Sequence, residues 1–140
     1  MKPVMRRRAR RLALQAVYQW QLTANSIDGI IEQFHENINP KKIDVEYFTN
    51  LINGVILHIN NIDNELAPCL DRAIAEVNPV ELAILRIAVY ELIYQLNVPY
   101  KVIINEALEL AKIFGAVAGF KYVNGVLDKA ARNIRKNEIY

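Results

Sequence analysis

Residues 78–96 read NPVELAILRIAVYELIYQL, and they decide the fold. Asn78 can cap a helix, Pro79 suits the first helical position, and Glu81 at the third can bond back to the cap. The stretch carries only three charges, Glu81, Arg86 and Glu91. Its other residues are nearly all apolar on every face, and a helix apolar all round belongs in the middle of a bundle. Asn97-Val98-Pro99 ends it, so the predicted helix covers 79–96.

Working outward, helical periodicity continues in both directions and no segment alternates cleanly with period two. Downstream, 100–114 reads as a helix with Val102, Ile103, Ala107, Leu110 and Ala111 inward and Gly115 as its C-terminal cap. The last helix shows the stripe Tyr122, Val123, Val126, Leu127 and Ala130; Asn124-Gly125 within it reads as a place of close helix packing. The charged tail from Arg132 is expected to fray. Upstream, the first helix follows Pro3 and turns Ala9, Ala13, Ala16, Val17 and Trp20 inward, stopping at Asn25-Ser26. Ser26 caps a short second helix, Pro40 lies in a loop, and Asp44 caps a third. From Asp44 onward Val45, Phe48, Ile52, Val55, Ile59, Ile62 and Leu66 form a seam with heptad spacing. Asn60-Asn61-Ile62-Asp63 offers caps that break the rod, and a fourth helix is expected over roughly 63–76. The sum is an all-α fold: one compact domain over 1–140, of about seven helices in two small bundles packed together.

The composition narrows the class. With 140 residues, 53% of them apolar and 23% charged, the chain suits one globular domain rather than a disordered one. A single cysteine excludes an internal disulfide and a cysteine-based zinc cluster. Glutamines interrupt the apolar segment after Arg11, no serine precedes Ser26, and no run reaches membrane-spanning length. The expected location is the cytoplasm, with no membrane contact.

The net charge of +2 hides an asymmetry. Residues 1–11 contain six Lys and Arg and no acid, while the remainder holds 11 bases against 15 acids. Such a basic end points to a polyanion. On a helical wheel Arg7, Arg11, Leu14, Gln15 and Tyr18 share the outward side, with Arg8 at its edge. Guanidinium groups beside an aromatic platform suit single-stranded nucleic acid. Five arginines in six positions also oppose helix formation near a positive dipole end, which a merely solubilising role does not require. Phe120-Lys121-Tyr122 is a second basic and aromatic spot, joining the first only if the fold brings them together.

Catalytic chemistry finds no support. His35 and His58 lack partners at motif spacing and read as surface or boundary residues. Cys69 after Pro68 reads as a packed thiol, and Glu106 with Glu109 as a solvated edge. No phosphate-binding glycine loop occurs, so neither cofactor nor metal is expected.

Several blocks carry a resemblance. Met1-Lys-Pro-x-x-Arg-Arg-Arg-Ala-Arg10, Ala16-Val-Tyr-x-Trp-Gln-Leu22, Leu85-Arg-Ile-Ala-Val-Tyr-Glu-Leu92, Val98-Pro-Tyr-Lys-Val102, Ile104-Asn-Glu-Ala107, Glu109-Leu-Ala-Lys112 and the run Tyr122 to Ala131 resemble the NusB transcription antitermination factor family, essentially end to end. The resemblance implies a NusB-like, non-enzymatic RNA-binding protein of the bacterial cytoplasm. It implies pairing with the small-subunit ribosomal protein NusE, binding of boxA-type RNA, and joining of other Nus factors on RNA polymerase to suppress termination in ribosomal RNA operons. The RNA-binding residues it implies are Lys2, Arg6, Arg7, Arg8, Arg10 and Tyr18, with Lys121 and Tyr122 alongside. Glu81, with Arg86 and Tyr90 farther along the same helix, falls to the protein partner.

Two departures stand out: Ala116-Val-Ala-Gly119 replaces acidic or polar residues, which removes repulsion from phosphate, and Arg11 adds a charge. Two other readings stay open. One is the accessory RNA-binding domain of a ribosomal RNA methyltransferase, disfavoured because no methyltransferase domain follows Tyr140. The other is a self-associating helical module built on the 45–66 seam; a homodimer of the free protein is compatible with the antitermination reading too.

Overall fold

A computed structural model describes residues 3–23, 26–115 and 117–139, with the side chains of residues 117 and 139 excepted. Its elements are α1 (Pro3–Leu22), α2 (Ile27–His35), α3 (Val45–Leu57), α4 (Ile59–Leu66), α5 (Pro79–Tyr94), α6 (Tyr100–Phe114), α7 (Val117–Ile134) and α8 (Lys136–Ile139). Two 3-10 turns, Ala67–Cys69 and Ile74–Glu76, lie between α4 and α5. No strand occurs among the described residues.

The capping residues do what their chemistry allows. Ser26 accepts from Gly29 N–H at 3.2 Å, Asp44 from Tyr47 N–H at 3.0 Å, and Asn78 from Val80 and Glu81 N–H at 2.9 and 3.3 Å. Each satisfies an N–H that the first helical turn leaves without a partner. Helix α5 buries ten of its 16 residues and contacts α1, α3, α4, α6 and α7. Helices α1, α2 and α3 pack together, as do α6 and α7, so α5 is the shared wall of two bundles. Phe48, Leu51, Ile52, Ile84, Leu85, Leu92, Ile103 and Leu127 are among the fully buried side chains of one continuous core.

The structure corrects several local expectations. The rod breaks at His58, not at Asn60, and α4 ends at Leu66 instead of reaching 76. No side chain caps this break. The His58 ring stacks on Tyr94 with centroids 4.1 Å apart, so tertiary packing supports the bend. Pro68 sits in the first turn of a 3-10 segment, where its missing N–H costs nothing. The 45–66 seam spreads over α3 and α4 and turns inward, with Phe48, Ile52, Val55, Ile62 and Leu66 fully buried. It is therefore core, and the motive for self-association through it disappears. Gly115 does cap the C-terminus of α6, in extended backbone and with its N–H bonded to the Ala111 carbonyl at 2.8 Å. At Gly125 a β-carbon would meet nothing within 4 Å, so this glycine is not a packing contact. Gly54 is the close approach instead: a β-carbon there would overlap the Tyr90 ring.

Within the described part of the tail, expected to fray, Arg135 and Glu138 are tied to the body. Arg135 is 5% exposed and donates to the carbonyls of Leu92 (2.7 Å), Gln95 (3.0 Å), Glu91 (3.3 Å) and Val98 (3.0 Å). The Leu92 carbonyl lies in the last turn of α5, where intrahelical donors run out, while those of Glu91 and Gln95 also accept from the N–H of Gln95 and Val98; a cation at this end is favoured by the helix dipole. Glu138 completes the clamp, accepting from Arg135 at 2.6 Å and from Tyr100 N–H at 3.0 Å.

Candidate nucleic-acid interface

Helix α1 runs antiparallel to α5, with Arg10 beside Glu91 and Gln21 beside Pro79. Its inward face holds Ala9, Ala13, Ala16 and Val17, all fully buried, while Trp20 is half-buried. Leu14, expected outward, is 3% exposed, because packing against both α3 and α5 buries a wider arc than one stripe.

The arginines divide into two groups. Arg10 is a core residue, 4% exposed. Its Nε donates to Glu91 Oε1 at 2.9 Å and its Nη2 to Glu91 Oε2 at 2.8 Å. Tyr47 donates its hydroxyl to the same carboxylate at 2.5 Å. Burial alone works against the Arg10 charge, but the bond to Glu91 and the attraction of its carboxylate prevail and hold the guanidinium more firmly protonated than usual. Burial and the Glu91 charge push the Tyr47 hydroxyl far above its ordinary range. Arg10 therefore offers no surface cation for a phosphate.

Arg6 is half-buried, its guanidinium 4.2 Å from the Tyr47 ring centroid and its Nε 3.8 Å from Asp44. Arg7 keeps 56% of its side chain exposed while its Nε donates to Glu106 at 2.9 Å. Glu106, expected on a solvated edge, is 8% exposed; its Oε1 also lies 3.8 Å from Arg10 Nη1. Arg8 and Arg11 are exposed, and Arg8 donates to the Lys42 carbonyl at 3.1 Å. That bond brings the exposed Lys41-Lys42 loop against the basic helix. Two lysines next to Pro40 carried no periodic signal and were legible only as loop residues. Tyr18 lies on the same helix with 36% of its surface exposed. The outward surface thus consists of Arg7, Arg8, Arg11, Lys41, Lys42 and Tyr18, with Arg6 at its edge. Lys2 lies outside the described residues.

The second basic and aromatic spot lies at the other end of α5. Gly119, at the start of α7, packs against Glu81: a β-carbon on it would stand 2.8 Å from Glu81 Oε2. Glu81 thus faces α7, with no bond back to its cap among those of the described residues. Tyr122 is half-buried, with Arg72 4.3 Å over its ring, and burial raises its hydroxyl pKa. Lys121 is exposed. At about 1.5 Å per residue, the ten residues from Glu91 to Glu81 place this spot about 15 Å along α5 from Arg10. It is level with the Tyr18 end of α1, not with the arginines. The 116–119 departure begins at Ala116, outside the described residues; Ala118 is exposed.

Of the other partner-surface candidates, Arg86 is engaged inside the chain. It donates to both Asp63 oxygens at 3.1 and 2.9 Å and to Gln21 at 3.0 Å, tying α1 and α4 to α5. Tyr90 is 5% exposed against Gly54, its hydroxyl bonded to Asn50 at 3.0 Å. Tyr90 is thus a core side chain, while Glu81 and Arg86 are both half-buried, Arg86 with its guanidinium engaged inside the chain. His35 is exposed and bonded to Thr49, and Cys69 is buried with its thiol 3.6 Å from the Glu65 carbonyl. No described helix is long and apolar enough to cross a membrane.

Comparison with known proteins places these features in a family. The NusB family model matches residues 7–132. The transcription antitermination protein NusB of Idiomarina loihiensis is 53% identical over 135 residues, covering 96% of this chain and 97% of the relative. The NusB structure from T. maritima superposes with a TM-score of 0.84 at 27% identity, covering 95% of each chain. A chain from a crystal structure of the antitermination factors NusB and NusE with double-stranded RNA superposes with a TM-score of 0.81 at 26% identity, covering 91% of this chain and 96% of the other.

Proposed function

The chain belongs to the NusB family, and on that premise we propose that it is a cytoplasmic, non-enzymatic transcription antitermination factor acting as a single RNA-binding domain. In this reading it binds boxA-type single-stranded RNA together with the ribosomal protein NusE. With the other Nus factors it then promotes read-through by RNA polymerase in ribosomal RNA operons. The observation that carries the reading is the outward face of α1, where Arg7, Arg8 and Arg11 stand beside the Lys41-Lys42 loop and in line with Tyr18. The cations neutralise successive phosphates, and the Tyr18 ring offers a base a stacking surface worth about 1–3 kcal/mol. Lys121 extends the strand's path, and Lys2 adds a charge before α1. Glu81 and the turn from Gly119 serve the protein partner.

The test is binding of a boxA-like RNA with and without NusE, followed by a terminator read-through assay with the other Nus factors. The reading expects tighter RNA binding when NusE is added, and weaker binding when Arg7, Arg8 and Arg11 are replaced by alanine. Equal binding by wild type and the triple variant, or no gain on adding NusE, contradicts it.

A further inference from the structure

A cleft of about 320 Å3 opens beside the first turns of α1, at the edge of the basic face. This is near the lower end of small-ligand pockets, about 300–1,000 Å3. Pro3, Val98 and Val102 supply apolar walls, and Arg6 and Glu106 supply opposite charges. Arg6 Nε is buried without a hydrogen-bond partner among the described residues, its nearest charge the Asp44 carboxylate at 3.8 Å, while the Tyr47 ring braces the guanidinium. Glu106 is held by Arg7 Nε at 2.9 Å, with Arg10 Nη1 3.8 Å away. A carboxylate has four lone-pair positions, so these contacts leave it able to accept more.

A carboxylate on this surface repels phosphate, so the backbone of an RNA strand gains nothing from it. A base does gain, provided it presents donors to Glu106 and acceptors to Arg6. Guanine is the base that does so with a paired edge: N1–H and the N2 amino group match the two carboxylate oxygens, and O6 with N7 accepts from an arginine. We propose that this cleft receives an unstacked guanine of the bound RNA, read by Glu106 and Arg6 between the Pro3 and Val102 walls. Arg7 and Arg10 act as positioning residues that fix the Glu106 carboxylate. The proposal rests on the RNA-binding reading above and adds base selectivity to it.

The experiment compares a short oligouridine with the same strand carrying one guanosine, or one inosine, which lacks the N2 amino group. Binding is measured by fluorescence anisotropy on the full chain. Wild type should prefer the guanosine strand about tenfold, with inosine between, since a good bidentate base contact discriminates by about that factor or more. Val102→Trp fills the cleft from a position that is 41% exposed, so folding is spared. It should erase the preference while leaving oligouridine affinity unchanged, and Glu106→Gln should erase most of it. Equal binding of both strands by wild type, or a preference that survives Val102→Trp, overturns the proposal while leaving the RNA-binding reading intact. Binding of neither strand, with NusE absent and with it added, defeats both.

Discussion

Replacing Glu91 by alanine tests whether Arg10 belongs to the core. Glu91 is 1% exposed and Arg10 4%, and their carboxylate and guanidinium share bonds of 2.9, 3.2 and 2.8 Å. Removing one partner of a buried pair costs about 3–5 kcal/mol, because the other charge stays behind in low dielectric. The Tyr47 hydroxyl also loses its acceptor, a loss of about 1–3 kcal/mol that overlaps with the first. Glu106, 3.8 Å from Arg10, softens the penalty without replacing the bidentate contact. The expected total is about 4 kcal/mol, a large share of the roughly 5–15 kcal/mol that holds a domain folded. In urea at an m-value of about 2 kcal/mol/M, the midpoint should fall by about 2 M. Combining Arg10→Met with Glu91→Leu removes both charges and keeps the volume, and should recover most of the loss. The double variant should bind oligouridine with wild-type affinity and salt dependence, since neither side chain reaches a phosphate. A cost under about 1 kcal/mol for Glu91→Ala, or a double variant no better than the single, would refute the core assignment. So would a drop of about 0.7 in the salt slope, which signals one lost phosphate contact.

Other perturbations probe separate parts of the structure. Gly54→Ala should destabilise by about 1–3 kcal/mol through overlap with the Tyr90 ring, whereas Gly125→Ala, facing open space within α7, should stabilise by about 0.5–1 kcal/mol; thermal unfolding of each checks the contrast. The Tyr100 N–H and the Arg135 guanidinium hold the Glu138 carboxyl below its ordinary 4.5, so its stabilising effect is complete above that pH and disappears as pH falls through the lowered value. Unfolding of Glu138→Gln across the acid range should show less pH dependence than wild type, and identical profiles would contradict the clamp. Burial raises the Cys69 thiol pKa above its ordinary 9.0, so thiol reagents should label native protein slowly at neutral pH and rapidly once it is unfolded.

What the sequence revealed follows from the range of the interactions involved. Caps act within four residues, so Ser26, Asp44 and Asn78 were readable from local order, as was α5 from its unbroken apolarity. The bend at His58 was not, because its support comes from Tyr94 in another helix. Arg10 left a signal that the resemblance overrode. The same wheel that turns Val17 inward sets Arg6 and Arg10 on either side of it, and Glu91 is an acid deep in an apolar helix. A buried acid requires a buried base, and Arg10 is that base. Arg135 hid in a charged tail, because the carbonyls it binds lie some forty residues away.

The central claim is that the exposed arginines of α1 meet RNA phosphates. The most direct measurement is the salt dependence of single-stranded RNA binding for wild type and for the Arg7/Arg8/Arg11→Ala variant, with NusE present in both. Three lost phosphate contacts should lower the slope of log K against log salt by about 2. An unchanged slope, with the variant as tightly bound as wild type, would contradict the account.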